Sequence, residues 1–405
     1  MAATAPLRSL FGRRAAAVVA PRDDFDYLGA DDIYLDSACQ TLRPRPVIDA
    51  LTAYYTGYGA CGDRVKYAWG RRVEDGVAST RRRVLDALRL PVRRYVCTFT
   101  LNTTYGINLL LQQLPTGRFA RIVTTHTEHN AVFVATMTAA RRLGVPRIVV
   151  DRGDDGRIVA GDGDLADAVV VVSAMDNVSG TFAAGLPELV TDVHRRGGVV
   201  IVDAAQAAPH ALTRLRGLEA DALCFSAHKM YGPSLGVIVA DAELVASLDI
   251  SFIGGGQVSD VSEEGYTLLP ELRTRLEPGL QAWGEIIAFG AALEWLEPRA
   301  AGIEANESHL ARRLHAGLSE LPHLRLLGGA APVMSAVPAR VDAHRLAVFL
   351  SQAGVMVRSG YFCNHHWLKE RLGLDPLIRF SLGAHNTEED IDRTLAVVGR
   401  LMRGL

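Results

Sequence analysis

The chain has 405 residues, 49% of them apolar and 22% charged, and carries a formal net charge of −2 at pH 7. That length buries a large core and ordinarily divides into two domains. Near-zero charge with scattered basic residues argues against nucleic acid or an anionic membrane as partner, and no apolar run approaches the roughly 20 residues that span a bilayer.

In chain order, residues 1–22 contain arginines and no acid before Asp23, a composition that faintly resembles a transit peptide but lacks the apolar core of a secretory signal. They read as an irregular or helical N-terminal arm on a cytoplasmic protein. Runs at 95–100, 121–125, 147–150, 168–173, 198–203, 222–226 and 236–240 are mostly apolar throughout, which predicts strands covered on both faces. Amphipathic stretches at 104–114, 130–143 and 186–196 predict helices between them. The alternation means an α/β fold with a mainly parallel central sheet flanked by helices. Right-handed crossovers then bring the strand C-termini to one edge, where ligands bind. A long helix expected over 284–297 leads into a region of helices and short strands. The expected division is a large domain at 23–299 and a smaller α+β domain at 300–405, with room for a contribution from the arm.

Five scattered cysteines, Cys39, Cys61, Cys97, Cys224 and Cys363, form no CxxC pair and no metal-ligand spacing. An odd, scattered set fits a reducing compartment. Cys97 and Cys224 lie in apolar strands and read as packing residues, whereas Cys363 lies among polar and aromatic residues in a loop.

Only three of the 43 basic Lys and Arg residues are lysine: Lys66, Lys229 and Lys369. Lys229 follows an apolar strand, beside Ser226 and His228, and precedes Tyr-Gly-Pro. A lysine amine loses its proton on burial and can form an imine, which arginine cannot. The other strand ends carry complementary groups. Asn102, Thr103 and Thr104 open a helix, where hydroxyls and free N–H groups either cradle a phosphate or simply cap. His129 offers an imidazole face or a structural histidine, and 176–181 is a polar turn suited to a ligand or to turning alone. Asp203 ends a buried strand, with Gln206 and His210 after it, and a carboxylate there needs a cationic partner such as a pyridinium. Together these groups meet the needs of pyridoxal phosphate.

The motifs YLDSACQTLRP (34–44), NTTYGINL (102–109), TEHNAV (127–132), DNVSGT (176–181), VDAAQAAPH (202–210), FSAHKMYGP (225–233), GGGQ (254–257), VRSGYFC (357–363) and RFSLGAHNTEEDID (379–392) occur in this order. The chain thereby resembles the class V, fold-type-I pyridoxal-phosphate enzymes, and within them the cysteine desulfurases and selenocysteine lyases. The resemblance implies that Lys229 carries the cofactor as an imine, that Asp203 faces the pyridine nitrogen, that His129 stacks on the ring and that Gln206 bonds its phenolic oxygen. It implies a phosphate cup of Thr103, Thr104, Ser226 and His228, and a substrate-carboxylate pair of Asn177 and Arg379. Cys363 falls on the nucleophile position of a short catalytic loop, 16 residues before Arg379, where it would take sulfur from a cysteine substrate as a persulfide and leave alanine. Arg358, His365 and His366 are candidates to lower its pKa, Arg358 also standing near the substrate. A homodimer and a sulfur-acceptor protein are the partners the family implies. The alternative is another class V reaction, a C–S or C–Se lyase or a biosynthetic epimerase or lyase, with Cys363 idle; a non-catalytic sulfur-relay scaffold is a third reading.

Three segments depart from the family pattern. LEPGL (276–280) places Leu280 where a threonine normally reaches the partner subunit's phosphate, NHHWL (364–368) replaces a small-residue-and-proline stretch after Cys363, and 63–72 lacks the usual histidine.

Overall fold

Eight strands build one sheet: β1 (Tyr95–Thr100), β2 (Arg121–Thr125), β3 (Arg147–Arg152), β4 (Ile158–Val159), β5 (Ala168–Ser173), β6 (Val199–Asp203), β7 (Ala222–Ser226) and β8 (Gly236–Asp241). Their order is β1-β8-β7-β6-β5-β2-β3-β4. The computed structural model describes residues 22–404, so the transit-peptide reading and nearly all of the expected arm lie outside the described residues. The pairs among β7, β6, β5, β2 and β3 are parallel, as the apolar runs require. Two exceptions refine the expectation: β4 returns against β3, and β8 runs antiparallel to both β1 and β7. The link from Ser226 to Gly236 is too short for a crossover, which takes a dozen or more residues, so β8 turns straight back. Lys229 sits in that tight return.

Side chains leave a strand alternately to its two faces. Val170, Val172, Val200, Val202 and Phe225 enter one core, and Val169, Val171, Ile201, Cys224 and Ile238 enter the other. Helices α1 (Arg45–Ala53), α2 (Ala68–Leu88), α5 (Leu186–Arg195) and α6 (Trp283–Leu296) cover the first face, while α3 (Thr103–Gln112) and α4 (Asn130–Leu143) cover the second. Cys97 and Cys224 are buried packing residues as expected, and burial pushes the Cys97 thiol up to about 12. Among the described residues no helix is long and apolar enough to cross a membrane.

After α6 come α7 (Ala300–Ser319) and an antiparallel sheet of β9 (Leu324–Leu327), β10 (Val333–Pro338), β11 (Arg358–Gly360) and β12 (Leu377–Ser381), in the order β9-β10-β12-β11. Helices α8 (Ala343–Gln352) and α9 (Glu388–Arg403) complete this layer around Leu310, Leu346, Phe380 and Val398. Near the N-terminus, Ile33–Tyr34 pairs in parallel with Val355–Met356, and Asp36 bridges Ser381. The two sheets meet at the 176–181 turn. Ser335 donates to the Val178 carbonyl at 2.7 Å, and a Cβ on Gly180 (φ +69°) would come within 2.5 Å of the Val333 carbonyl. Only glycine allows that approach, and it sets Asn177 against β12.

Candidate active site

The C-terminal ends of β1, β2, β5, β6 and β7 converge on a cavity of about 270 Å³. Lys229, Asp203, Gln206, His129, Asn177, Thr103, Thr104, Ser226 and His228, all named from the sequence, line it. Burial lowers the Lys229 pKa, with Arg379 adding to the effect while Asp203, Cys39 and Cys363 oppose it. A larger share of the amine is therefore neutral, the form that attacks a carbonyl. Asp203 is pushed up to about 6 by desolvation, against the Ala205 N–H that bonds its Oδ1 at 2.9 Å and the nearby Lys229.

His129 caps α4: its Nδ1 accepts the Ala131 N–H at 3.0 Å, which leaves the proton on Nε2. Burial first, then Lys229 and Arg379, lower its pKa to about 3, so the ring is neutral at physiological pH. Gln206 donates Nε2 to the Ala38 carbonyl at 2.8 Å, and its buried Oε1 finds no partner among the described residues. At the other end of the cavity, Asn102 caps α3 through the Tyr105 N–H. The Thr103 and Ser226 hydroxyls lie 2.6 Å apart, binding the ends of β1 and β7 together. A Cβ on Gly236 would strike Asn102 N at 2.5 Å, so the close fit of this helix start needs glycine there. A buried carboxylate and a helix N-terminus at opposite ends of one slot suit a planar, phosphorylated cation such as pyridoxal phosphate.

Arg379 on β12 is buried, donates Nη1 to the Asn177 carbonyl at 3.1 Å, and keeps an Nε without partner among the described residues. The Asn177 amide donates to the Phe362 carbonyl at 2.8 Å, and the Phe362 ring lies under the Arg379 guanidinium at 4.7 Å. The turn carrying exposed Cys363 thus covers the Asn177–Arg379 pair. The Cys363 carbonyl accepts the Asn130 N–H at 2.6 Å, one residue from His129.

The class-V aminotransferase family matches residues 33–394. The chain belongs to that family. As a class-V member it is 30% identical over 383 residues to a cysteine desulfurase of Dickeya dadantii, covering 91% of this chain and 92% of the relative. Among solved structures it superposes on the apo cysteine desulfurase of Thermococcus onnurineus with a TM-score of 0.88 at 29% identity, over 96% of this chain and 100% of that one. An Escherichia coli cysteine desulfurase in an S-sulfonic acid form gives a TM-score of 0.84 at 26% identity, over 95% and 98%.

In this class-V chain, three groups meet partners other than those expected around Cys363. Arg358 grips Asp36 through Nε and Nη2 at 2.7 to 3.1 Å, and Asp36 also receives Arg379 at 3.5 Å. His365 meets the Asn130 amide, and His366 meets His126 and Phe133. Asp36 is therefore the site residue that sequence reading missed. Its signal was available, because a carboxylate following two apolar residues in a short strand asks for a buried cation. The wall behind His129 was missed as well. Glu128, fully buried, takes Arg152 at 2.6 Å, the Thr125 hydroxyl at 2.6 Å and the Ser173 N–H at 2.9 Å, which fixes the turn that presents His129. Cys39 lies beside the site as well, which its scattered place in the sequence does not reveal. Its segment is pinned by Gln206 at Ala38 and by the His228 carbonyl at Thr41, close enough to Lys229 to influence it.

Asp203 gives a first test. Its folded pKa lies above the unfolded value, so the stability it contributes is present below about pH 4 and lost as pH rises through about 6. Without a cation opposite it, the cofactor-free protein should carry a penalty on the order of 3 kcal/mol at pH 8. Asp203→Asn should raise the melting temperature of cofactor-free protein more at pH 8 than at pH 5, where roughly half of the penalty remains, while weakening cofactor retention. Equal destabilisation at both pH values would contradict a buried charge at this position.

Proposed function

We propose that this chain is a pyridoxal-phosphate cysteine desulfurase that moves the sulfur of L-cysteine onto Cys363 and releases L-alanine. The observation that carries the reading is the single slot lined by both Lys229 and Asp203, roofed by the turn that bears Cys363. The similar proteins named cysteine desulfurase support it over an epimerase or another lyase of the same family.

Pyridoxal phosphate, when bound, supplies a ring that withdraws electrons from the α-carbon of an amino acid. Lys229 would hold it covalently, and Asp203 would supply the negative charge facing its ring nitrogen. Thr103, Thr104, Ser226, His228 and the start of α3 would take its phosphate. His129 would cover the ring as a neutral imidazole. The Gln206 amide has to present a donor to the phenolic oxygen while it keeps the Ala38 carbonyl.

The free Nε of Arg379 and the amide of Asn177 would take a substrate carboxylate, Asn177 exchanging the Phe362 carbonyl for it. With its pKa lowered, the Lys229 amine can take a proton and return it within the slot. As the substrate C–S bond breaks, a Cys363–S–S bond forms; cysteine and the Cys363 thiol become alanine and a Cys363 persulfide, with atoms and electrons balanced. A partner thiol protein would then remove the sulfur, Cys363 being exposed.

A second copy of the chain is the expected partner. Leu280 (80% exposed), Tyr55, Trp69 and Phe252 leave apolar surface uncovered, and a depression of about 740 Å³ opens where Gly255, Leu280 and Trp283 face Cys61 and Arg64. The reading places the enzyme in the cytoplasm.

Mass spectrometry of the Cys363 peptide after adding L-cysteine tests the proposal. A gain of one sulfur atom, with alanine formed in equal amount, is expected. Alanine-free turnover, or pyruvate and sulfide without any gain at Cys363, would favour the lyase alternative.

A further inference from the structure

Cys363 and its neighbour Phe362 both adopt left-handed backbone, at φ +56° and +50°. Two consecutive non-glycine residues in that region hold only when their surroundings fix them. The surroundings here come from the stretch after Cys363 that departs from the family pattern. His366 stacks on Phe133 of α4, with centroids 4.2 Å apart and planes 16° apart. Its Nε2 lies 3.0 Å from His126 Nδ1, just past the end of β2. Arg371 Nη1 approaches His126 Nε2 at 3.3 Å, and its Nη2 is tied to Asp151 of β3 at 3.1 Å. Asn364 adds a tether by donating to the Thr127 carbonyl at 2.7 Å.

The tautomers follow from the donors. A guanidinium can only donate, so His126 accepts at Nε2 and carries its proton on Nδ1; it therefore donates to His366 Nε2. Proton direction runs from Arg371 to His126 to His366, and it requires both rings to be neutral.

We propose that Arg371, His126 and His366 are positioning residues whose directed hydrogen-bond chain latches the Cys363 turn onto the large sheet, above Lys229. The latch rests on the reading of Cys363 as sulfur acceptor only for its catalytic meaning. Protonating His126 removes the acceptor of Arg371, and protonating His366 removes the acceptor of His126. The groups facing the pair are Arg371 and Glu370 on its own segment, Arg147 and Asp151 on β3, and Phe133 on α4. Burial and the two arginines lower both imidazole pKa values and Asp151 or Glu370 only partly offsets them, so the latch is closed at neutral pH. Its closing energy is lost as pH falls from the free histidine value through the lowered ones.

The test is amide hydrogen exchange of the 361–374 segment in cofactor-loaded enzyme, beside the rate of persulfide formation at Cys363. His366→Phe keeps the stacking and removes the acceptor, whereas His366→Gln keeps an acceptor. Exchange, corrected for its intrinsic pH dependence, should rise about tenfold in His366→Phe and recover in His366→Gln. Parent protection should fall as pH drops below the free histidine value of about 6.5, and less steeply in His366→Phe, where only the Arg371–His126 link still titrates. Persulfide formation should slow about tenfold in His366→Phe, with the cysteine KM nearly unchanged. Unchanged exchange in His366→Phe, or equal opening in both variants, overturns the latch. A parent enzyme that forms no persulfide at Cys363 would instead refute the desulfurase reading, and the exchange data would still decide the latch.

Discussion

Lys229→Ala is expected to purify folded but without covalently held cofactor, and to lose essentially all turnover of L-cysteine. The lysine has two tasks in one slot, linkage and proton transfer, and removing general acid–base help alone costs on the order of 10²- to 10⁴-fold. Its placement makes the result interpretable: it occupies the tight return between β7 and β8, at the edge of the cavity rather than within either apolar core. Borohydride reduction of the parent should fix the cofactor to the peptide containing Lys229, and an absorption band near the visible edge should be present in the parent and absent from the variant. Retention of turnover by Lys229→Ala, or a cofactor fixed to Lys66 or Lys369, would remove the central assignment.

Cys363→Ser should separate binding from sulfur transfer. The contacts made by the two residues themselves come from the Cys363 and Phe362 carbonyls, which serine preserves, and the tethers of Asn364, His366 and Arg371 do not involve the thiol. The variant should therefore bind cofactor and cysteine close to parent levels. A serine hydroxyl ionises far above a thiol and is a poor acceptor for sulfur, so desulfuration should fall by at least about a hundredfold. Spectral change on adding L-cysteine, together with sulfide and alanine assays, checks both halves. Desulfuration at the parent rate would show that another group takes the sulfur, and Cys39, which also lies close enough to Lys229 to influence it, would be the first to examine.

The agreement between sequence and structure is uneven for identifiable reasons. The seven strands expected in the large sheet all form, and every residue expected around the cofactor lines one cavity. Local pattern suffices there, because a strand buried on both faces must be apolar along its length, and groups following such strands collect at one edge. The antiparallel β8 was not legible from its apolar run, although the short connection before it requires that direction. Around Cys363 the expectations fared differently. Arg358, His365 and His366 were placed near the thiol by closeness in sequence, yet their partners lie more than two hundred residues away in Asp36, Asn130, His126 and Phe133. A long side chain in a loop reaches in any direction, and only the path of the neighbouring elements settles which partner it meets.

By itself, then, the amino-acid order determined the α/β architecture and singled out Lys229, Asp203 and Cys363 as candidates. Those depend on short-range hydrophobic pattern and on residue types with few chemical alternatives. The tertiary structure alone decided that Asp36 joins Arg358 to Arg379, that Thr103 at the start of α3 and Ser226 at the end of β7 share a hydrogen bond, and that a histidine pair ties down the Cys363 turn. Each of these links residues more than one hundred positions apart, and such pairs are chosen by how the layers pack, because burial leaves a polar group only the partner that packing brings to it.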